Sequence, residues 1–184
     1  MKGPKTVKSE RLYTGKVFNL IVDEVEYPSG NRAIREVADH PGGAVVIPLI
    51  TPSTVLLIRQ FRYPIKGVLY EAPAGKLDPH EDPADCARRE LEEETGYRAQ
   101  HVEKLTAIYT SPGFCNERLH LFLATGLTKT SEGPRLEEGE EGLTIELVLM
   151  EEAIRMIERG DIVDAKTVCG LFLALARLRK ANHE

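Results

Sequence analysis

A run of carboxylates in the middle of the chain has the clearest chemical potential in this sequence. Residues 90–94 read Glu-Leu-Glu-Glu-Glu, so four carboxylates fall within five positions. On a helix, Glu93 and Glu94 project from the same side as Glu90, because they follow it by three and four residues. Glu92 points elsewhere. Like-charge pairs cost only a few tenths of a kcal/mol on an exposed helix, so a solvated acidic face is one interpretation.

A divalent cation offers a second interpretation of the same residues. Mg²⁺ favours carboxylate oxygens, keeps several of its waters and takes substrate phosphates as further ligands. Glu90 and Glu94 can bind one or two such ions. The preceding Arg89 cannot be a ligand, because its guanidinium stays charged, but its fork can hold neighbouring carboxylates in place. The run therefore predicts either an acidic face or a metal site for a phosphate substrate.

The carboxylates lie within a segment that has clear helix start and stop signals. Asp82 can cap the N-terminus, and Pro83 suits the first helical position, where its missing N–H costs nothing. Gly96 is a natural C-terminal stop. Apolar residues recur at helical spacing and predict a core face: Ala84, Ala87 and Leu91. We therefore expect one helix between Asp82 and Gly96.

Apolar and β-branched runs on either side of this helix predict strands, at 16–26, 32–37, 43–50, 55–59, 68–72, 105–109, 119–124 and 144–149. The turn signal at 28–31 joins the first two into a β-hairpin. Residues 1–9 are expected to be a loose tail and 126–142 an acidic loop. Two helices are predicted at 151–159 and 167–179. Adjacent strands with few helices indicate an α+β or mixed-sheet layered domain.

Composition narrows the class of protein. The chain has 184 residues, of which 42% are hydrophobic and 29% charged, as in a soluble globular domain. The net charge of −5 argues against general nucleic-acid binding. Three cysteines without a CxxC pair indicate neither a zinc site nor a disulfide framework, and favour a cytoplasmic protein. Residues 1–10 contain no apolar run, so we do not expect a signal peptide there, and the longest apolar run, 168–176, is too short for a membrane span.

Residues 75–97 resemble the Nudix box, GX5EX7REUXEEXGU, in which U is aliphatic or aromatic. The match holds at every specified position: Gly75, Glu81, Arg89-Glu90-Leu91, Glu93-Glu94 and Gly96-Tyr97. The chain is therefore identified as a member of the Nudix hydrolase superfamily. The resemblance implies an α/β/α sandwich that splits a nucleoside diphosphate linked to another moiety. It also implies a loop–helix–loop that carries Mg²⁺ or Mn²⁺.

The resemblance also assigns roles within and near the box. Glu90, Glu94 and the carbonyl of Ala74 are implied as metal ligands, with Gly75 allowing the close backbone approach. Glu93 is a further ligand or a base, and Glu81 supports Arg89 or binds a metal through water. A carboxylate of the loop 136–142 completes the site in related enzymes, as catalytic base or extra ligand. The best-aligned candidate is Glu141, with Glu138 and Glu140 beside it.

Features outside the box resemble the ADP-ribose pyrophosphatase branch. They are Pro112, fifteen residues after Tyr97, and the segments "QFRYPIKGVLYEAPAGKLD", "YTSPGFCNERLHLFLA" and "DAKTVCGLFLALARL". By this resemblance Arg62 contacts the substrate, and Glu117 contacts the terminal ribose or a phosphate. Arg35 reaches the adenine, on which Phe18 stacks. The alternatives are a turn proline for Pro112, a surface charge for Arg35 and a core residue for Phe18.

The expected activity is metal-dependent hydrolysis of ADP-ribose, a small-molecule nucleotide, to AMP and ribose 5-phosphate. Alternatives are ADP-glucose, GDP-mannose or a broad set of substrates, and more remotely an ADP-ribose sensor without activity. Residues 1–40 are expected to form a β subdomain that binds the adenine and exchanges strands across a two-fold homodimer. Residues 41–184 are expected to form the hydrolase domain.

Overall fold

The computed structural model describes residues 2–136 and 138–181. The chain divides into two compact units. The first covers the chain up to Gly42 together with Tyr109–Arg118, and the second covers Gly43–Ile108 together with the chain from Leu119 onward. The expected division into 1–40 and 41–184 stays a prediction.

The first unit contains an antiparallel sheet of three strands, β1 (Lys5–Thr14), β2 (Asn19–Glu26) and β3 (Arg32–Asp39), in that order. β2 pairs with β3 without a register shift, so the predicted hairpin is present. The loose tail expected over residues 1–9 was wrong, because the chain from Lys5 onward pairs with β2. All ten residues of β1 are exposed, so this strand lacks the alternation by which a half-buried strand is recognised.

The second unit is built on a mixed sheet of seven strands. They are β4 (Gly43–Thr51), β5 (Thr54–Arg62), β6 (Gly67–Glu71), β7 (Ala74–Lys76), β8 (Tyr97–Tyr109), β9 (Arg118–Lys129) and β10 (Thr144–Leu149). The order is β10-β5-β4-β9-β8, and β4 pairs with β9 in parallel. β4 is buried from Gly43 to Leu49 and therefore reads as a continuous apolar run, as expected of a strand covered on both faces.

Helices cover both faces of this sheet. Cys86, Ala87 and Leu91 of α1 (Pro83–Thr95) pack on Ala44 and Val46 of β4. The opposite face carries the larger core, to which α2 (Met150–Glu158) and α3 (Ala165–Ala181) contribute Met150, Ala153, Met156, Leu171 and Ala174. The α/β/α arrangement expected from the sequence is confirmed. None of the described helices is long and apolar enough to span a membrane.

β6 and β7 lie between β4 and β5 at the end of the sheet where those two strands no longer pair with each other. The C-terminal half of β4 pairs with the start of β5, whereas its N-terminal half pairs with β7, in the register Val45 to Ala74. The C-terminal half of β5 pairs with β6 instead, in the register Ile58 to Glu71. The corner between β6 and β7 therefore lies in the middle of the sheet, where it is held by both strands.

Some predicted boundaries were wrong. β8 begins at Tyr97, directly after α1, and β9 continues past Gly126 to Lys129, so the acidic loop is shorter than expected. Gly126 was taken as the start of that loop, but it has a φ of 68° within the strand. β7 was not predicted, because three residues are too few to show a period.

Candidate active site

Helix α1 is fixed in register by its two ends. The Asp82 side chain accepts a hydrogen bond from the Ala84 N–H at 2.8 Å, with Pro83 as the first helical residue. At the other end, Gly96 has a φ of 69° and its N–H donates to the Glu92 carbonyl at 2.8 Å. A Cβ on Gly96 would also overlap the backbone of Gly133. The glutamates of α1 therefore occupy set positions over the sheet.

Glu90 and Glu94 are buried carboxylates on the inner side of α1. They are 9% and 2% exposed. Glu94 Oε2 accepts a hydrogen bond from the Ala74 N–H at 3.1 Å, which joins α1 to the start of β7. Burial raises the pKa of Glu94 to about 9, and the negative charges of Glu90 and Glu140 add to the effect. The pKa of Glu90 is also raised, mainly by burial. The site thus contains two carboxylates whose charged forms are destabilised by burial.

Gly75 lies directly against this carboxylate pair. A Cβ built on Gly75 would overlap the Glu90 carboxylate, and one on Gly43 would lie 2.6 Å from the Gly75 carbonyl oxygen. The backbone at this point can approach α1 only because residue 75 has no side chain. The glycine that begins the matched motif is therefore explained by its contact with Glu90.

Arg89 is the cation that links Glu90 of the buried pair to two further carboxylates, Glu81 and Glu93. Its Nε and Nη2 donate to the two oxygens of Glu81 at 2.9 and 3.0 Å. Its Nη1 donates to Glu90 at 2.7 Å and to Glu93 at 3.1 Å. The hydrogen bonds with Arg89 lower the pKa of Glu81 to about 2, and those with Glu81 raise the pKa of Arg89. One guanidinium therefore orients three carboxylates of the motif.

The donor set fits a hard divalent cation. Arg89 and the Ala74 N–H do not fully offset the charge of Glu90 and Glu94, since both pKa values stay raised. Within residues 2–136 and 138–181, no three His, Cys, Asp or Glu side chains form a ready-made cage. Mg²⁺ needs no such cage, because it keeps waters and binds substrate phosphates. Glu90 and Glu94 are the side chains here that suit it.

Arg62 lies in a second buried network beside this pair. Its Nε and Nη2 each donate to Glu71 at 2.7 Å, and Lys166 at the start of α3 also donates to Glu71. Glu71 is 1% exposed. Burial alone would raise its pKa, but the hydrogen bonds and charges of Arg62 and Lys166 leave it lowered. The predicted substrate contact Arg62 is thus oriented by a carboxylate of β6.

Further contacts extend the network into α3. Lys166 donates to Asp164 at 3.0 Å, as does the Thr167 hydroxyl at 2.6 Å. The Thr167 hydroxyl in turn accepts from the Ala72 N–H at 2.7 Å. No role was predicted from the sequence for Glu71, Asp164 or Lys166. The signal available was Glu71 itself, an acid in the otherwise apolar run of β6 and therefore in need of a buried partner.

The three candidate glutamates of the acidic loop, Glu138, Glu140 and Glu141, differ in position. Glu138 and Glu140 bound a single 3-10 turn, Glu138–Glu140, which Glu141 follows. Glu138 and Glu141 are exposed, whereas Glu140 is partly buried. The negative charge of Glu140 raises the pKa of both Glu90 and Glu94. The charge of Glu140 on this loop thus acts on both carboxylates of the buried pair.

The remaining predicted site residues belong to the first unit. Phe18 is 42% exposed, with its ring centroid 6.4 Å from that of Tyr13. Arg35 is exposed, and its guanidinium carbon lies 5.5 Å from the centroid of the Tyr27 ring. These aromatic and cationic side chains are available at the surface of the unit, and Phe18 is not a core residue.

Pro112 and Glu117 lie in the loop segment of the same unit. Pro112 lines a cavity of about 290 Å³ with Val37, Tyr109, Gly113, Phe114, Cys115 and Asn116. Glu117 Oε2 accepts from the Thr110 hydroxyl at 2.7 Å, and its Oε1 is 3.4 Å from His40 Nδ1. The structure therefore groups the metal-ligand candidates with Arg62 in one unit and the other four substrate candidates in the other.

A family model and known sequences match this chain. The NUDIX domain model matches residues 40–171. The chain is 42% identical to the ADP-ribose pyrophosphatase of Bacillus subtilis, over 89% of the chain and 88% of the relative. It is 43% identical to the methanol dehydrogenase activator of Bacillus methanolicus, over the same shares of 89% and 88%. It is 42% identical to the GDP-mannose pyrophosphatase of Pectobacterium atrosepticum, over 96% and 97%.

A solved structure, described as an ADP compounds hydrolase, is similar to the whole chain. The TM-score is 0.86, with 98% of this chain and 97% of that chain covered at 22% sequence identity. At that identity the similarity shows a shared fold. It includes the three-stranded sheet as well as the layered unit, since nearly all of both chains is aligned.

Proposed function

The chain belongs to the NUDIX domain family and is a Nudix hydrolase, and from this premise we propose that it hydrolyses the pyrophosphate of ADP-ribose to AMP and ribose 5-phosphate. The observation that carries the reaction type is the pair of buried carboxylates Glu90 and Glu94, both with a raised pKa. A pair of this kind is suited to bind a cation together with the phosphates of a substrate. The substrate itself is supported by the relatives named as ADP-ribose pyrophosphatases.

We propose Glu90, Glu94 and the carbonyl of Ala74 as the ligands of Mg²⁺ or Mn²⁺. Such an ion would neutralise charge on the pyrophosphate and lower the pKa of a water that attacks phosphorus. Arg89 keeps Glu81, Glu90 and Glu93 in place through its hydrogen bonds. Glu93, which is partly exposed, remains a proposed further ligand or base. Arg62, held by Glu71, is a proposed contact for the substrate.

The loop supplies the proposed catalytic base or extra ligand. The resemblance to related enzymes favoured Glu141, which is exposed. We now propose Glu140 ahead of Glu141 and Glu138, because its charge acts on Glu90 and Glu94. The test is kcat at saturating ADP-ribose for Glu138→Gln, Glu140→Gln and Glu141→Gln. We expect Glu140→Gln alone to lose about a hundredfold or more. A loss confined to Glu141→Gln would restore the first assignment.

We propose that the N-terminal part, residues 1–40, recognises the adenosine side of the substrate. Phe18 and Arg35 are exposed there, as a stacking surface and a hydrogen-bond donor would be. Glu117 and Pro112 are proposed contacts for the remainder of the nucleotide.

We also propose that the protein is a homodimer that exchanges its N-terminal strands, and that it acts in the cytoplasm. Its three cysteines are all unpaired, which fits a reducing compartment.

A substrate panel tests this function. Purified protein with Mg²⁺ is offered ADP-ribose, ADP-glucose, GDP-mannose, a diadenosine polyphosphate and 8-oxo-dGTP, and kcat/KM is compared. We expect ADP-ribose to lead, with AMP and ribose 5-phosphate as products. Binding of ADP-ribose without turnover of any compound would favour a sensor instead. A second panel with Mn²⁺ identifies the preferred ion.

GDP-mannose is the second candidate substrate. The GDP-mannose pyrophosphatase of Pectobacterium atrosepticum is 42% identical to this chain over 96% of its length. Adenine carries an amino donor at position 6 where guanine carries a carbonyl acceptor, so a side chain that contacts this edge discriminates between the two nucleotides. A higher kcat/KM for GDP-mannose would retain the metal-site proposal and overturn the adenine assignments.

A further inference from the structure

One buried polar side chain in the second unit has an oxygen without a partner. Gln60 of β5 is 6% exposed, and its Oε1 accepts no hydrogen bond within the described part of the chain. A buried carbonyl in that state has lost its water and gained nothing in return, which destabilises the fold. Buried polar groups are nearly always paired, so an exception points to a missing partner.

The strand register places Gln60 on the face of the sheet that α1 covers. Val55 and Leu57 of β5 belong to the core under α2 and α3. Gln60 lies three residues after Leu57, so its side chain points to the opposite face. That face carries Ala44 and Val46 beneath α1. Gln60 therefore lies on the same side of the sheet as the helix that carries Glu90 and Glu94.

Its neighbours on that face are the groups of the candidate site. Arg62 follows two residues later on the same face, and Glu71 pairs with Ile58, two residues earlier. Arg62 donates to Glu71, and its charge interacts with Glu94. Gln60 thus belongs to the same patch of sheet as the proposed substrate contact.

The missing partner must be a hydrogen-bond donor. The oxygens of an ionised pyrophosphate carry no hydrogen and cannot donate to a carbonyl. In a nucleoside diphosphate sugar, a sugar ring flanks the pyrophosphate on each side, whereas the base lies one ring further away. A sugar hydroxyl is therefore the donor that can reach Gln60 when the phosphates lie at Glu90 and Glu94.

We propose that Gln60 is a substrate-contacting residue whose side-chain oxygen accepts a hydrogen bond from a sugar hydroxyl of the nucleotide. The assignment rests on the proposed function, since it takes the phosphates to bind beside Glu94. Gln60 would recognise a sugar of the nucleotide, and it is separate from the residues that are proposed to hold the metal. The cost of the unpaired oxygen in the free protein is offset when substrate binds.

The test compares Gln60→Met with the wild-type protein, and Gln100→Met serves as the matched control. Methionine preserves the length of the side chain and removes its polar amide. Gln100 is exposed, so the same replacement there changes no buried group. We expect KM for ADP-ribose to rise about tenfold with kcat little changed, because a ground-state contact is lost. The inhibition constant of one product, AMP or ribose 5-phosphate, should rise with KM and identify which sugar is contacted.

The thermal midpoint of the free protein separates a contact from a structural role. If the missing partner is the substrate, Gln60→Met should melt no lower than the wild type, since an unpaired buried carbonyl is removed. If a trapped water pairs with Gln60 instead, the variant should melt lower. Gln60→Leu, a second apolar variant, repeats the measurement if the first does not fold.

Unchanged KM and unchanged inhibition by both products would overturn the proposal, as would a raised KM that comes with a lower melting point. Wild-type turnover tests the proposed function on its own. If the wild type prefers another nucleotide sugar, the comparison is repeated with that substrate and its products. The two proposals can therefore fail independently.

Discussion

Glu71 is a residue whose role depends entirely on burial. It accepts two hydrogen bonds from Arg62 and one from Lys166, ninety-five residues away in the chain. Its partners could not be predicted, because nothing local in the sequence links residues 71 and 166. The motif residues were different: Arg89, Glu90 and Glu94 could be singled out because their spacing on one helix already implies their chemistry.

Replacement of Glu71 should destabilise the protein. In Glu71→Gln, Arg62 loses its counterion and Lys166 keeps only Asp164, so we expect the free energy of unfolding to fall by about 3 kcal/mol at neutral pH. Denaturant unfolding measures it. Glu103→Gln is the control, because its ion pair with Arg177 is at the surface and should contribute under about 1 kcal/mol. Equal effects of the two variants would contradict this account.

The effect of Glu71 should also depend on pH in a defined direction. Its pKa in the folded protein lies below the ordinary value of 4.5. The stabilisation from its charged form is therefore fully present above pH 4.5 and is lost as the pH falls through the folded pKa. The difference in stability between wild type and Glu71→Gln should be constant from pH 7 to about 5 and shrink at lower pH. A difference that grows on acidification would contradict the lowered pKa.

At the scale of elements, α1 and β7 form the unit that positions the buried carboxylates. The ends of α1 were predictable, since Asp82, Pro83 and Gly96 act locally on the backbone. β7 was not, because it exists only through its pairing with β4. β1 was missed for a related reason, since a strand exposed on both faces has no hydropathy pattern.

The contact between β7 and α1 predicts the effect of Gly75→Ala. The added methyl would overlap the Glu90 carboxylate, so α1 or the side chain of Glu90 must move. We expect kcat to fall about a hundredfold, since small displacements of catalytic groups are costly. The matched control is Gly113→Ala, whose Cβ would meet no atom within 4 Å. Wild-type activity in Gly75→Ala would show that Glu90 is not held as described.

At the scale of the whole molecule, the fold class followed from the sequence because the motif identifies a family and the family shares one architecture. The confirmed features are the mixed sheet, the helices on both faces and the N-terminal hairpin. The membership of Tyr109–Arg118 in the first unit could not be predicted, because this segment comes from the middle of the chain. Such a grouping depends on contacts between distant segments.

The proposed homodimer can be tested on the intact protein. β1 exposes Val7, Leu12 and Tyr13, and apolar side chains in one strand are a typical interface feature. Size-exclusion chromatography with light scattering should give twice the chain mass of 20.5 kDa. Replacement of Val7 and Leu12 by Glu or Lys should shift the protein toward the monomer. A wild-type monomer at micromolar concentration would overturn this part of the proposal.

The most direct test of the account is steady-state hydrolysis of ADP-ribose by Glu94→Gln, measured beside Glu92→Gln with Mg²⁺ present. Glu94 is 2% exposed and lies one helical turn from Glu90. Glu92 points away from that site and forms an ion pair of 2.8 Å with Arg98. We predict that kcat falls by several orders of magnitude in Glu94→Gln while the melting point is retained, and that Glu92→Gln stays close to wild type. Near-normal turnover by Glu94→Gln would contradict the metal site on which the account rests.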